Sequence, residues 1–180
     1  MAEMTARRLA QWQGYLSLPE LEYLQSLARD LPPNPVIVNL GAGAGTSTFA
    51  FLEARPDAVV FSVDLLLRES ETTTNEHLRL AEAPPDIAAR CIKIWGDSQR
   101  VGKAWPGYVD MVFVDADHSY DGCKGDILAW RDKCDALAFH DYGSPHWPGV
   151  ADAVNELMAG WTPLGGADTV RAFSCVRDLD

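Results

Sequence analysis

An α/β fold, doubly wound about a mostly parallel sheet that finishes in an antiparallel hairpin, is what this 180-residue sequence predicts. Three observations carry that reading. Apolar runs of strand length alternate with helix-patterned stretches, the first five runs close on glycine or polar residues, and two last short runs flank a glycine-containing turn. Ligands of open parallel sheets bind outside the carboxyl ends of the strands, so the closing residues are the candidate site.

Leu21, Leu24, Ala28 and Leu31 fall on one helical face behind Pro19, and Pro32, Pro33 and Pro35 end that helix. Residues 1–35 therefore read as a helical cover, and 36–180 as the core of a single domain. Val36, Ile37 and Val38 begin the first strand, Thr46 to Ala54 form the helix behind it, and Ala58 to Val63 make the second strand, closing on Asp64. A less periodic region follows. Within Leu65 to Pro85 a loop is expected at Arg68 to Thr74 and a short helix at Glu76 to Ala83. The third strand, Cys91 to Trp95, closes on Gly96, Asp97 and Ser98; the fourth, Met111 to Val114, on Asp115; the fifth, Ala136 to Phe139, on His140 and Asp141. Pro148 then opens a helix carrying Val150, Ala153, Val154, Leu157 and Met158, and Gly160 stops it. Trp161 to Leu164 and Val170 to Val176 complete a seven-stranded sheet, with Gly165, Gly166 and Asp168 expected in the turn between them.

Bulk properties restrict the function. A hydrophobic content of 47% is ample for one core. No run approaches the ~20 apolar residues of a membrane span, and Met1 to Gly14, with Arg7, Arg8, Gln11 and Gln13, reads as a polar stretch without a secretory core. A cytoplasmic protein with no membrane partner is the expectation. Cys91, Cys123, Cys134 and Cys175 contain no C-x-x-C pair, which argues against a zinc knuckle or a disulfide frame. The net charge of −11 disfavours nucleic acid, whose binding rests on basic residues, and favours a small-molecule substrate.

Gly41, Gly43 and Gly45 form a G-x-G-x-G turn between the first strand and its helix. Such a junction brings bare backbone and unpaired helix N–H groups up to a ligand. Asp64 closes the next strand, where a carboxylate can accept both hydroxyls of a ribose. The dinucleotide fingerprint wants its third glycine at position 46, which is Thr46, so the nicotinamide reading is the weaker one.

The turn is similar to the first motif of class I S-adenosylmethionine-dependent methyltransferases, which have a Rossmann-like sheet with a C-terminal antiparallel hairpin. The run Phe113, Val114, Asp115, Ala116, Asp117, His118, Ser119, Tyr120, together with His140, Asp141, Tyr142 and the segment Trp147, Pro148, Gly149, resembles metal-dependent O-methyltransferases of catechol and caffeoyl-coenzyme A type, and more closely a broad group of small bacterial methyltransferases. That resemblance implies that Gly41, Gly43 and Gly45 cradle the methionine part of S-adenosylmethionine, Thr46 and Ser47 meet its carboxylate, Asp64 its ribose, and Asp97 with Ser98 its adenine. It also implies a divalent metal, Mg2+ or another, on Asp115, His140 and Asp141, with His118 where the family places a lysine base. Two departures stand out. Asn39 occupies the usual acidic position before the glycines, where it can still hydrogen-bond the cofactor, and Lys133, Cys134 and Asp135 replace a glycine pair before the fifth strand.

The chemistry fits those positions. Methyl transfer needs an in-line, deprotonated nucleophile, and a general base supplies ~10²–10⁴ in rate. His118, with an ordinary pKa near ~6.5, suits the base role; Asp117 either orients it, replaces it, or caps the helix starting near Ser119. Each residue also has a plainer role: Asp115 and Asp97 as helix caps, His118 as a surface histidine, His140 as a hydrogen-bonding group, Trp95 and Trp147 as packing. His77 reads as solvated, while His146 and Trp147 are candidates for a wall of the substrate pocket. A small hydroxylated acceptor is the expected substrate. Two other functions use the same residues: an iron-dependent hydroxylase with Asp115, His118 and His140 as ligands, or a non-catalytic S-adenosylmethionine-binding protein. With no large lid domain, the pocket is either open or completed by a second subunit of a homodimer.

Overall fold

The computed structural model describes residues 5–13, 15–65 and 83–175. The expected loop 68–74, His77 and nearly all of the expected helix 76–83 lie outside the described residues. Seven strands form one sheet in the order β3-β2-β1-β4-β5-β7-β6. They are β1 (Val36–Leu40), β2 (Val59–Asp64), β3 (Cys91–Trp95), β4 (Val109–Val114), β5 (Cys134–Phe139), β6 (Thr162–Ala167) and β7 (Val170–Ser174). The first five pair in parallel, whereas β7 runs antiparallel to both β5 and β6. The chain starts at the centre and winds outward both ways, so the order reverses between β1 and β4, and the ligand crevice belongs there.

Alternation along the central strands builds two cores, one on each face. Ile37, Met111, Phe113, Ala136 and Ala138 pack with α1 (Ala6–Gln13), α2 (Leu18–Asp30) and α3 (Thr46–Ala54). Val38, Leu40, Val112, Val114, Leu137 and Phe139 pack with α6 (Tyr120–Trp130) and α7 (Pro148–Leu157). Short helices α4 (Pro85–Ala88) and α5 (Ser98–Ala104) complete the described set. Side chains two residues apart share a face of a strand, which is why near-continuous apolar runs serve both cores. No helix among the described residues is long and apolar enough to cross a membrane.

The helical cover expected over residues 1–35 includes helix α1. The polar stretch at the N-terminus is helical. Ala6 and Ala10, four residues apart, are buried, and the Ala6 amide donates to Glu53 Oε1 at 2.8 Å. The hairpin turn is displaced: Gly165 and Gly166 lie inside β6, and the chain reverses at Asp168 and Thr169, between the paired Ala167 and Val170. Gly166 answers crowding, since a Cβ on it would stand 2.2 Å from the Val170 carbonyl oxygen, whereas Gly165 takes φ +109° at a register shift.

Candidate active site

The glycine turn is packed directly on the end of β4. A Cβ on Gly41, whose φ is +82°, would lie 2.0 Å from the Asp115 carbonyl oxygen. Nothing larger than hydrogen fits there. The Gly43 amide donates to Asp64 Oδ2 at 3.1 Å, tying the turn to the carboxylate that closes β2. Asn39 is wholly buried behind the turn, where its Nδ2 donates to Ser47 Oγ at 3.0 Å and Thr48 Oγ1 at 2.9 Å. It therefore braces the start of α3 and does not line the cleft. Gly45, the N-cap of α3 in a left-handed conformation, is likewise behind the surface. Thr46 Oγ1 is buried without a hydrogen-bond partner.

A cleft of about 870 Å³ runs along the carboxyl ends of the strands. It brings together Gly41, Gly43, Thr46 and Ser47 with Asp64, Asp97 and Ser98, and with Asp115, Asp117, His118, His140 and Asp141. Tyr15 and Leu16, from the connection between α1 and α2, contribute a wall, as does Trp147. Asp97 both lines this space and caps α5, accepting from the Arg100 amide at 2.8 Å. Ser98 donates to Asp126 Oδ1 at 2.5 Å, and burial pushes that fully buried carboxyl up to about 6. Trp95 and His146 are exposed and outside the lining.

The acidic end has an ordered geometry. Backbone pairing extends beyond the strands, with the Asp115 amide on Leu40 O and the His140 amide on Val114 O, so the two residues sit side by side. Asp141 adopts φ +58°, a left-handed turn that returns its carboxylate toward them. His118 Nε2 lies 3.2 Å from Asp115 Oδ1 and 3.1 Å from Asp141 Oδ2; His140 Nδ1 lies 3.2 Å and 3.1 Å from the same two oxygens. Nitrogen and oxygen alternate around a four-cornered ring.

Electrostatics follow from that ring. The Asp115 and Asp141 carboxylates hold His118 at a pKa of about 9 against partial burial. Burial opposes a charge on His140, yet Asp115, Asp141 and Glu20 together drive its pKa far up. Burial likewise works against ionised Asp141, but the two histidines hold its carboxyl below the usual range. With the ring holding only its own protons, His118 is thus a cation near neutral pH, not the expected base with an ordinary pKa. Asp117 does not orient it. The Asp117 carboxylate accepts from the Ser119 amide at 2.9 Å, and Ser119 itself caps α6 through the Gly122 amide at 3.0 Å. Trp147 stacks on His118, with centroids 5.0 Å apart and planes at 29°.

The donor set fits a divalent cation. Ligands bonded at ~2.0–2.2 Å in tetrahedral or octahedral order stand ~2.8–3.6 Å from their neighbours, whereas charge-assisted hydrogen bonds draw in to ~2.7–2.9 Å. The ring edges belong to the first range, and all four donor atoms lie within 4.8 Å of one another. Asp115, His140 and Asp141 were expected ligands, and His118 stands in the same cluster. Two imidazoles favour Mn, Fe, Co or Zn over Mg.

Glu20, in α2, was not foreseen as part of this region. It is 4% exposed, and its Oε2 lies 3.6 Å from His140 Nε2. Its sequence signal was a carboxylate three residues after Ser17, a capping-box pattern that concealed the second contact.

Comparison with known proteins decides the family. The profile of the methyltransferase domain family matches residues 38–142, more than half of the chain, from β1 through the ring. The chain belongs to that family. As a methyltransferase on a Rossmann-like, seven-stranded sheet, it is of the class I S-adenosylmethionine-dependent type. Its fold is similar to that of a Klebsiella pneumoniae protein described provisionally as an O-methyltransferase (TM-score 0.75, 14% identity, 97% of this chain and 90% of that one). It is similar also to the Streptomyces achromogenes O-methyltransferase TomG of tomaymycin synthesis, solved with S-adenosylmethionine (TM-score 0.68, 19% identity, 94% and 87%). A Bacillus cereus O-methyltransferase, solved with S-adenosylhomocysteine, gives a TM-score of 0.69 at 13% identity over 94% and 89%. No curated protein matches the sequence. In this methyltransferase the glycine turn and the ring line one cleft, at adjacent strand ends.

Proposed function

We propose that this methyltransferase transfers the methyl group of S-adenosylmethionine to an oxygen of a small hydroxylated acceptor, with a divalent cation held by Asp115, His118, His140 and Asp141. The observation that carries the reading is the alternating nitrogen–oxygen ring in the same cleft as the glycine turn. The backbone at Gly41 and Gly43 flanks the methionine portion, and Thr46 Oγ1, buried and without a partner, is set beside the N-terminus of α3 to meet its carboxylate with Ser47. Asp64 takes the ribose, Asp97 and Ser98 the adenine. Asn39 and Gly45 act from behind, by fixing the loop and the helix start. When bound, the cation lowers the pKa of the acceptor hydroxyl. His118 and His140 give up protons to ligate, so neither serves as the base; Asp117, exposed on the cleft wall, is the carboxylate available for the acceptor proton.

The net charge of −11 supports a small acceptor over nucleic acid. Calorimetric titration of S-adenosylmethionine with and without Mn2+, followed by methyl-transfer assays on small phenols and polyols, tests the proposal. The cofactor is expected to bind in both cases, with turnover lost on chelation and in Asp115→Ala. Undiminished turnover of the chelated enzyme would remove the cation from the reaction, and absence of cofactor binding would remove the whole assignment. Two histidines beside carboxylates also suit an iron-dependent hydroxylase; oxygen consumption by iron-loaded protein separates that reading.

A further inference from the structure

We propose that Glu20 is a positioning residue for His140, aiming its Nδ1 at the cation site. The inference rests on the cation reading above. A carboxylate with 4% exposure in the first turn of a helix is unusual, since ionised Glu stays in water unless it is paired. Every partner of this one has a direction. Oε1 accepts from the Thr169 amide at 2.9 Å and the Thr169 hydroxyl at 2.6 Å; Oε2 accepts from the Ser17 amide at 2.8 Å. The remaining neighbour of Oε2 is His140 Nε2, at 3.6 Å.

On the other side of that gap, Nε2 is buried and makes no hydrogen bond. The ring's other nitrogen is committed to Asp115 and Asp141 at 3.2 Å and 3.1 Å. A histidine that ligates through one nitrogen carries its proton on the other, and an outer carboxylate that receives this proton fixes the ring's orientation and raises its basicity. At 3.6 Å the contact is an ion pair, one small ring rotation short of a hydrogen bond. The arrangement also explains why a capping-box glutamate, which ordinarily needs only its helix end, is buried between α2, the end of β5 and the β6–β7 turn.

Co2+ titrated into the full chain tests this, with affinity read by competition against a chelator and coordination read from the visible ligand-field bands. Glu20→Gln is expected to weaken Co2+ binding about 10–100-fold and to shift the bands, as loss of an outer-shell partner does. Thr169→Val removes a hydrogen bond from the same carboxylate without touching His140, and is expected to bind Co2+ as the parent chain does. If Glu20→Gln does not fold, Glu20→Asp serves, since it keeps the charge but withdraws it from Nε2 by one methylene; weaker binding is again expected. Unchanged Co2+ affinity in the Glu20 variant overturns the proposal, as does equal weakening by Thr169→Val, which would mean a purely structural role. A parent chain that binds no Co2+ overturns the cation reading itself, and this inference with it.

Discussion

His118 shows how two neighbours decide a residue's chemistry. Its pKa is raised from 6.5 to about 9 by Asp115 and Asp141, so pairing stabilises the cation-free protein fully below 6.5 and loses that contribution as pH climbs through 9. Asp141, lowered from 3.8, contributes above that value and ceases to as pH falls beneath it. The cation-free protein is therefore expected to melt at steadily lower temperature from pH 6.5 to 9, and His118→Gln to lessen that slope while His140 keeps part of it, as calorimetry over pH would register. Because a bound cation must displace the same proton, apparent Mn2+ affinity is expected to increase over that interval. Sequence alone identified His118, Asp115, His140 and Asp141 as belonging together, since each closes or follows a strand at one edge. It could not set their protonation, which depends on separations of 3.1–3.2 Å between elements. Glycine offers a second residue-scale test. Gly43→Ala meets no heavy atom within 4 Å and carries only left-handed strain, about 1–2 kcal/mol, whereas Gly41→Ala adds a collision with Asp115 and is expected to cost about 2–5 kcal/mol in denaturant unfolding.

At the scale of elements, helix starts do two things at once. Asp97 caps α5 through the Arg100 amide, one of its two readings from sequence, and the same residue faces the cleft. Asp97→Asn keeps an acceptor for the cap and is expected to leave the melting temperature near that of the parent, while Asp97→Ala loses about 1 kcal/mol of stability. If both variants weaken S-adenosylmethionine equally in calorimetry, the carboxylate charge matters to adenine; if only alanine does, its effect is architectural. Helix α3 was legible to the residue, Thr46 to Ala54, because a glycine turn before it and Arg55-Pro56 after it punctuate an apolar run. Helix α1 was not legible at that precision, being read only within the helical cover over residues 1–35. Nor was the Glu20 contact, because it joins residues 120 positions apart whose proximity no local pattern encodes.

For the whole molecule, strand order explains why one edge holds everything. Beginning with β1 at the centre and winding to β3 on one side and β5 on the other puts the glycine turn and the ring at adjacent strand ends across the reversal. The alternation of runs made this visible beforehand, and the antiparallel final pair was readable from its short turn, although β7 inserting between β5 and β6 was not. That insertion gives β5 a partner on each side, so His140 emerges from an interior strand. A net charge of −11 leads to a test at the same scale: duplex RNA is expected not to be retained in filter binding at ~0.15 M salt, where phosphate contacts need clustered Lys and Arg. Trp147, 46% exposed at the rim, lies flat on the imidazole of His118. Its indole neighbours a charged ring when protons fill the corner and a ligating one when an ion does, so its emission should track loading without any dye, and Trp147→Phe should silence that reporter.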